Sequence, residues 1–594
     1  MTFRLSFFLF SALLGAVLAV GAVFYLQNNS SVSSEDETVA DFALIDQSGH
    51  FHQLYNYAYA KAVVLYVHAI GCPVVANDIP ALKQLKNQFG EKNIEFFAIN
   101  ANFTDDRASL AALTDSLGFD IPILMDDSQL VIEELGVMRA GELIVLDPKT
   151  WTIRYRGSMG AGIATVDANK NLGNQYLADV LTALSEDKSI ALSNRPSKGC
   201  LIDFIDDPAS HHKMISYAQE VEPILRNRCV ACHRQGGIGP WAMDSHATLK
   251  AWAPRVRQAI MNRSMPPWHA DPKVGKFAFD RSLTVEQQRT LVHWIDQGAP
   301  AGLSPDPLAQ IPPKPVENWP LGEPDLVVKL PTVNIPAEGI FAWQFKKVPL
   351  PITKDKWVRA VHLKPSNKEA THHVFAFVEY PKEAKEHEPD WGQGANSFFA
   401  AYVPGMSVNP FPHNSGQFLP KGSVVSFQRH YITVGYPTED DLELALYFHK
   451  EPPQVEYKMV SAINMGINIP PYASKHREFA NVTLKEEGEL HAIYPHMHYR
   501  GKAMQFAAHY PDGTQEQLLS VPNYDFNWQT TYQLQQPKWL PAGTKVSVDA
   551  EFDNSVNNPV NPNPASTVKW GMLSDDEMLV GYLVYTTRLS QVHK

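Results

Sequence analysis

The sequence predicts a multidomain chain with one α/β domain near the start, a small α-helical domain in the middle and two β-sandwiches at the end. Three observations carry that expectation. After residue 39 an apolar run, a helical stretch and a second apolar run follow at the spacing of parallel strands joined by a crossover helix. Between residues 206 and 304 helical periodicity returns around a closely spaced pair of cysteines. Beyond residue 323 the pattern turns to short alternating runs bounded by Pro, Gly, Asn and Asp, the way sandwiches read. A chain of 594 residues is too long for one core. The expected segments are 1–27, 39–188, 206–304, 323–470 and 471–594.

A hydrophobic content of 44% and a charged content of 19% describe ordinary globular domains. The formal net charge of -12, with no block of basic residues, argues against a nucleic-acid partner. Residues 5–26 carry no charge and are about long enough to cross a bilayer, with Arg4 in front to keep the N-terminus cytoplasmic. Val20-Gly21-Ala22 offers a cleavage site, so residues 1–27 are either a signal peptide or an anchor. On both readings the remainder is exported, to a periplasmic or extracytoplasmic location, and an uncleaved segment would tie it to the inner membrane. A polar, acidic tether follows over 28–37.

In the α/β domain the first apolar run, Val63-Val64-Leu65-Tyr66-Val67, leads into Gly71-Cys72-Pro73 and a helical stretch over 81–89. The second run, Ile94-Glu95-Phe96-Phe97-Ala98-Ile99, follows. Cys72 therefore stands at a strand-to-helix turn, where the helix N-terminus lowers a thiol pKa. Four cysteines are too few for a disulfide scaffold, and Cys200 is the only one besides Cys72 outside the Cys229/Cys232 motif. Cys72 is expected either as a buried thiol of a structural or docking domain, or as the partner of Cys200. The region resembles the redoxin branch of the thioredoxin superfamily, with three departures. Val75 replaces the second cysteine of a Cys-x-x-Cys pair, Ala69 stands where peroxiredoxins carry threonine, and Gly141 replaces the proline before a core strand. Those departures argue against thiol peroxidase and disulfide-exchange activity alike.

The helical domain carries Cys229-Val230-Ala231-Cys232-His233, the attachment signature of c-type haem, in which two thiols add to the vinyl groups and the imidazole ligates iron. Zinc would need further ligands, and His246 has no partner a few residues on. The expected sixth ligand is Met265, stiffened by Pro266 and Pro267, with Met261 and His269 as alternatives. Thr284 caps a helix that Gly298 stops. The segment resembles a cytochrome c, an electron relay.

In the β region three histidine features stand in order: His372-His373, then His430-Tyr431, then His496-Met497-His498. Imidazoles two apart on a strand share a face, whereas neighbours share one only at a strand end or bulge. With Met578, this order resembles the copper type II, ascorbate-dependent monooxygenases, the family of peptidylglycine α-hydroxylating and dopamine β-monooxygenases. The resemblance implies two jelly-roll-like β-sandwiches and two copper ions. It implies electron-transfer copper on His372, His373 and His430, and oxygen-binding copper on His496, His498 and Met578, with Tyr582 retained nearby. Tyr494 replaces the arginine with which the peptide-amidating members grip a carboxylate, so a C-terminal glycine peptide is not the expected substrate. The stretch Tyr524-Asp525-Phe526-Asn527-Trp528-Gln529 is expected to pack under the sandwich, or else to line an apolar pocket. His362, His413, His449, His491 and His509 match no ligand position.

The function implied is an exported copper-dependent monooxygenase that hydroxylates a C–H bond of an unidentified small organic or peptide substrate with dioxygen. Its own haem c would relay electrons from a reductase, a cytochrome or an ascorbate-like donor. The alternative is a membrane-tethered redox or copper-handling protein without hydroxylase activity.

Overall fold

The structure, a computed structural model, describes residues 37–159, 175–186, 188, 197–206, 213–302, 305–313, 318–339, 341–387, 398–403 and 408–589. The expected N-terminal anchor or signal lies outside these residues. Among the described residues no helix is long and apolar enough to cross a membrane. The chain divides into two compact units, one built mainly on Tyr57–Asp203 and the other on Phe42–Asn56 with Phe204–Lys594.

In the first unit five strands, β1 (Ala62–His68), β2 (Ile94–Asn100), β3 (Ile123–Met125), β4 (Glu142–Asp147) and β5 (Thr152–Ser158), stand in the order β3-β2-β1-β4-β5. The first three run parallel, β4 lies antiparallel to β1, and β5 lies antiparallel to β4. Every residue of β1 is buried, which is why its sequence is a continuous apolar run and not an alternation. Helix α1 (Pro73–Phe89) is longer than its periodicity suggests and begins directly after Cys72. Pro73 fits the first helical position because the N–H it lacks would have had no helical partner. Val75, Ile79, Leu82, Leu85 and Phe89 give α1 its buried face. Helices α2 (Arg107–Leu117), α3 (Leu130–Glu134) and α4 (Gln175–Ser185) complete the unit.

The second unit has a helical part and a β part. Helices α5 (Glu222–Arg228), α6 (His246–Met261) and α7 (Val285–Asp296) make up the helical part. Thr284 and Gln287 close a capping box on α7. The β part uses β6 (Leu326–Lys329), β7 (Gln344–Pro349), β8 (Lys356–Lys364), β9 (Thr371–Glu379), β10 (Phe398–Tyr402), β11 (Ser415–Leu419), β12 (Val424–Tyr431), β13 (Glu443–Phe448), β14 (Val455–Ile463), β15 (His476–Thr483), β16 (Gly488–His496), β17 (Gly501–His509), β18 (Gln515–Val521), β19 (Tyr532–Leu540), β20 (Lys545–Phe552) and β21 (Val580–Arg588). A four-stranded sheet has the order β7-β12-β9-β10, and another β15-β20-β17-β18. Between them a nine-stranded sheet runs β19-β16-β21-β14-β11-β8-β13-β6, with Val408–Pro410 paired on β8. One core is shared by residues of β8, β9, β12 and β13 with Tyr494, Met578 and Tyr582; a second core fills the space between β16 and β21 and the strands β17, β18 and β20.

Candidate functional site

His372 and His373 open strand β9, and the pairing of β9 with β12 shifts register between Thr371 and His373. That bulge lets neighbouring side chains converge where a regular strand would part them. His373 stands opposite His430 in the ladder. One nitrogen from each of His372, His373 and His430 lies within 4.8 Å of the others. The Nε2 of His373 and the Nδ1 of His430 are buried without a hydrogen-bond partner. Unpartnered buried nitrogens are costly, and a cation accepting their lone pairs removes that cost. Burial pushes His430 down to about 3 and lowers His372 and His373 as well, which favours the neutral imidazole, the form able to accept a metal. Trp343 walls this cluster, stacked on His430 with centroids 5.0 Å apart and edge-on to His373 at 5.0 Å.

His496 is the last residue of β16 and His498 lies just beyond it, with ring centroids 5.2 Å apart. His496 Nδ1 is 2.7 Å from Gln529 Oε1, whose identity as oxygen follows from Gln529 Nε2 donating to the Phe526 carbonyl at 3.1 Å. An amide oxygen only accepts, so the proton sits on Nδ1 and the lone pair on Nε2. His498 Nδ1 faces the Asp576 carbonyl at 3.3 Å, and its Nε2 is buried without a partner. Both rings therefore keep the lone pair on Nε2, and burial moves His496 down to about 4.

Glu577 ties this pair to Met578. Its fully buried carboxylate accepts the backbone N–H groups of His498, of Met578 at 3.0 Å and of Arg500 at 3.0 Å. Burial raises Glu577 to about 7, against the pull of those three N–H groups and of Arg500. Arg500 in turn donates Nε to Asn554 Oδ1 at 2.9 Å and Nη1 to the Asp575 carbonyl at 2.8 Å. Two residues after Met578, Val580 pairs with His496 across β16 and β21. The backbone carrying the Met578 thioether is thus fixed against the backbone carrying both histidines.

The two histidine sets are one phenyl ring apart. Phe526 stacks on His372 at 5.1 Å and meets His498 edge-on at 6.0 Å, while Phe375 lies 4.7 Å from His373 and 5.6 Å from His496. Sequence reasoning expected the 524–529 stretch to pack under the sandwich, or else to line a pocket. Tyr524 and Phe526 do pack in the second core, and Phe526 in addition lies among the imidazoles while Gln529 orients His496. Tyr494 is committed to Gln529 Oε1 at 3.0 Å and stacks on Tyr582 at 5.5 Å. The other histidines pair locally: His449 with the Ser415 carbonyl, His491 with Thr586 and His509 with Ser547, while His362 packs edge-on to Trp319.

In the helical part Cys229 and Cys232 are free thiols just after α5, and burial pushes Cys229 up to about 12. His233 Nδ1 faces the Trp241 carbonyl at 3.1 Å, leaving Nε2 as the acceptor nitrogen. A Cβ on Gly239 would come 2.8 Å from His233 Nδ1, so that glycine gives the ring its room. Thiols flanking an imidazole with a free Nε2 fit a covalently held haem. Met261 is buried and Met265 half-buried, its N–H on the Ala259 carbonyl at 3.1 Å. His269 is turned into the β part, where the strap that follows Met265 docks on β18 and β19. Trp268 meets Tyr532 at 5.1 Å, Asp271 N–H donates to the Ser520 carbonyl at 2.8 Å, and Phe277 bridges to Leu534. No sequence signal marks that docking.

In the first unit Cys72 sits at the N-cap of α1 and is joined to Cys200 by a disulfide, with Cα atoms 5.9 Å apart. Val75, at the position of a Cys-x-x-Cys partner, is buried in the core. Beside Cys72 lies a cavity of 390 Å³, lined by His68, Val75, Ile79, Lys83, Leu113 and others. His68 Nδ1 is 3.3 Å from Asn100, which donates to Asp105 at 2.8 Å.

These features give the first unit a redoxin-like, thioredoxin-type fold with a disulfide at the start of α1. The AhpC/TSA family matches residues 36–160. The chain is similar to the thiol-disulfide oxidoreductase ResA of Halalkalibacterium halodurans, 26% identical over 122 residues, spanning 20% of this chain and 68% of that protein. It is also similar to ResA of Geobacillus kaustophilus, 24% identical over 127 residues, spanning 21% and 71%. Among solved structures, a putative thiol:disulfide interchange protein DsbE from Chlorobium tepidum is 16% identical, covering 25% of this chain and 97% of that one, with a TM-score of 0.21. That likeness is too slight to bear on function.

Proposed function

We propose that the second unit is a copper-dependent monooxygenase that hydroxylates a C–H bond of a small organic or peptide substrate, with electrons relayed by a c-type haem in the same chain. The observation that carries this reading is the convergence of five buried or half-buried imidazoles in two sets one phenyl ring apart, three of them with a buried nitrogen that has no partner. Copper and haem would supply one-electron redox chemistry and the activation of dioxygen.

The geometry supports a set of roles for the histidines and their partners, and the sequence motif supports those for the haem. His372, His373 and His430 would hold one copper, and His496, His498 and Met578 the other. Gln529 keeps the proton on His496 Nδ1, the Asp576 carbonyl keeps that on His498 Nδ1, and Glu577 holds the ligand backbone. Trp343 and Phe526 exclude water from the imidazoles. Cys229 and Cys232 would attach haem, His233 would ligate it, and Met265 would take the sixth position. Tyr494 is engaged by Gln529 and offers no guanidinium, which disfavours substrates held by a C-terminal carboxylate. The apolar run at residues 5–26 supports export to the periplasm or another extracytoplasmic space, with or without an inner-membrane anchor. A reductase, a cytochrome or an ascorbate-like molecule would donate electrons.

The test is oxygen uptake by the purified, copper-loaded chain with a reductant and a panel of small organic and peptide substrates. Uptake matched by an oxygenated product, and abolished in Met578→Ile, is expected. Copper binding without any oxygenated product would favour the alternative, a copper-handling redox protein.

For the first unit, the Cys72–Cys200 disulfide at a helix N-terminus supports thiol–disulfide exchange as a second activity. Reversible reduction by a dithiol, followed by alkylation and mass analysis, tests it.

A further inference from the structure

Residues 266–280 leave the helical part and are built into the second sandwich. Ala270 belongs to the same core as Tyr524, Phe526 and Tyr532, and Trp268 packs against it. Main chain fixes the segment further on: Ala278 N–H donates to the Gln533 carbonyl at 2.8 Å, and Gln535 N–H to the Lys276 carbonyl at 2.9 Å. Between Trp268 and Ala270 stands His269, 9% exposed, whose main chain hydrogen-bonds the Tyr532 hydroxyl. An imidazole sunk into an apolar core costs free energy unless a polar group meets it. Asp525 is that group: burial lowers His269, and the Asp525 carboxylate works the other way.

The same carboxylate bears on a histidine of the copper cluster. Burial lowers His372, and an Asn527 side-chain hydrogen bond and the Asp525 charge oppose it. Asp525 Oδ1 accepts the Asn527 backbone N–H at 2.8 Å and its Nδ2 at 3.1 Å. That leaves the Asn527 amide oxygen to face the His372 ring. His372 Nδ1 lies 2.9 Å from His373 Nδ1 inside the cluster, so the nitrogen left for Asn527 is Nε2. A ligating imidazole is oriented by whatever takes its second N–H, and that partner by the next. Here the last partner in line, His269, comes from the helical part.

We propose that His269 is a positioning residue of the three-histidine copper site: it holds the Asp525 carboxylate, which through Asn527 holds His372. This deepens the copper reading of the second unit and rests on it. The three-histidine site is then incomplete without the segment that follows Met265, so the part of the chain that carries the haem motif also finishes the copper site. His269 is thereby a partner of copper and no ligand of the haem. Phe526, between Asp525 and Asn527 in the chain, stacks on His372 and keeps the ring in the plane that Asn527 meets.

The experiment uses the full, haem-loaded chain as His498→Ala, which leaves the three-histidine site to report alone. To it are added His269→Gln, Asp525→Asn, the two together, and Asn527→Ala, a change at an exposed position that leaves the core intact. Affinity is read by competition for Cu(I) with a chromogenic chelator, and the site itself by the Cu(II) electron paramagnetic resonance spectrum. His269→Gln and Asp525→Asn should each weaken binding roughly 10–100-fold, and together no more than the larger single change, because they act through one contact. Asn527→Ala should weaken binding as well and alter the Cu(II) spectrum in the same sense, while the haem spectrum stays the same throughout. Unchanged affinity and Cu(II) spectrum in His269→Gln, or additive losses in the combined variant, overturns the positioning role. So does a haem spectrum that shifts when His269 is replaced, since His269 would then ligate iron. A His498→Ala chain that binds no copper overturns the copper reading itself, and the role with it.

Discussion

Phe526 stacks on His372 with ring centroids 5.1 Å apart and an interplanar angle of 26°, while its other contacts reach His498 and Tyr499. One buried phenyl ring therefore touches both histidine sets, and its removal opens a gap between them. Phe526→Ala should cost about 3 kcal/mol or more of stability while copper content stays unchanged, as read by denaturant unfolding and metal analysis. Loss of copper from both sets would show that the ring organises the ligands and does more than fill space.

Gln529 sets the tautomer of His496. Gln529→Leu removes the acceptor for Nδ1–H, and outer partners of this kind are worth roughly 10–100-fold in metal affinity. Competition with a copper chelator should show that loss at one site only, with the three-histidine site unaffected.

Glu577→Gln places an NH₂ group where backbone N–H groups now donate. At least one of the His498, Met578 and Arg500 N–H groups loses its acceptor in a fully buried site, at about 1–3 kcal/mol each. Local amide exchange over 496–500 and 577–578 should accelerate accordingly; unchanged protection would remove the clamp from the account.

Much of this site was legible in the residues themselves. The His372-His373 pair required a strand end or bulge to converge, and the register shift at the start of β9 is one. The capped helix at Thr284 and the apolar run of β1 follow from local chemistry. The 524–529 stretch read at most as a pocket lining, and the particular roles of Gln529, Glu577 and Phe526 were not legible. A lone Gln or Glu in a sequence reads as surface, and an aromatic reads as core, because their roles depend on strands far apart in the chain. The docking of residues 268–280 on β18 and β19 joins main-chain pairing to the Trp268 and Phe277 contacts with Tyr532, a combination no sequence pattern marks, whereas that of residues 199–202 on Met138–Ala140 was foreshadowed only by the Cys72–Cys200 alternative.

Asp126 supplies a pH signature for the first unit. Burial raises its carboxyl from 3.8 to about 7, against hydrogen bonds from the Ile132 N–H and Ser128 Oγ. The folded state keeps this proton to a higher pH than the unfolded state does. The contribution of Asp126 to stability is therefore complete below pH 3.8, is lost between there and about 7, and is absent above. Opening free energies from amide exchange in β3 should drop by on the order of a few kcal/mol across that window. Asp126→Asn should flatten the profile.

The measurement that bears most directly on the central claim is the copper and haem content of the purified chain and of two single variants, by elemental analysis and pyridine haemochrome spectrum. Two copper ions and one haem are predicted for the natural chain. His373→Ala and His498→Ala should each lose one copper and keep the haem. A natural chain that takes up no copper, or variants that keep both ions, would contradict it.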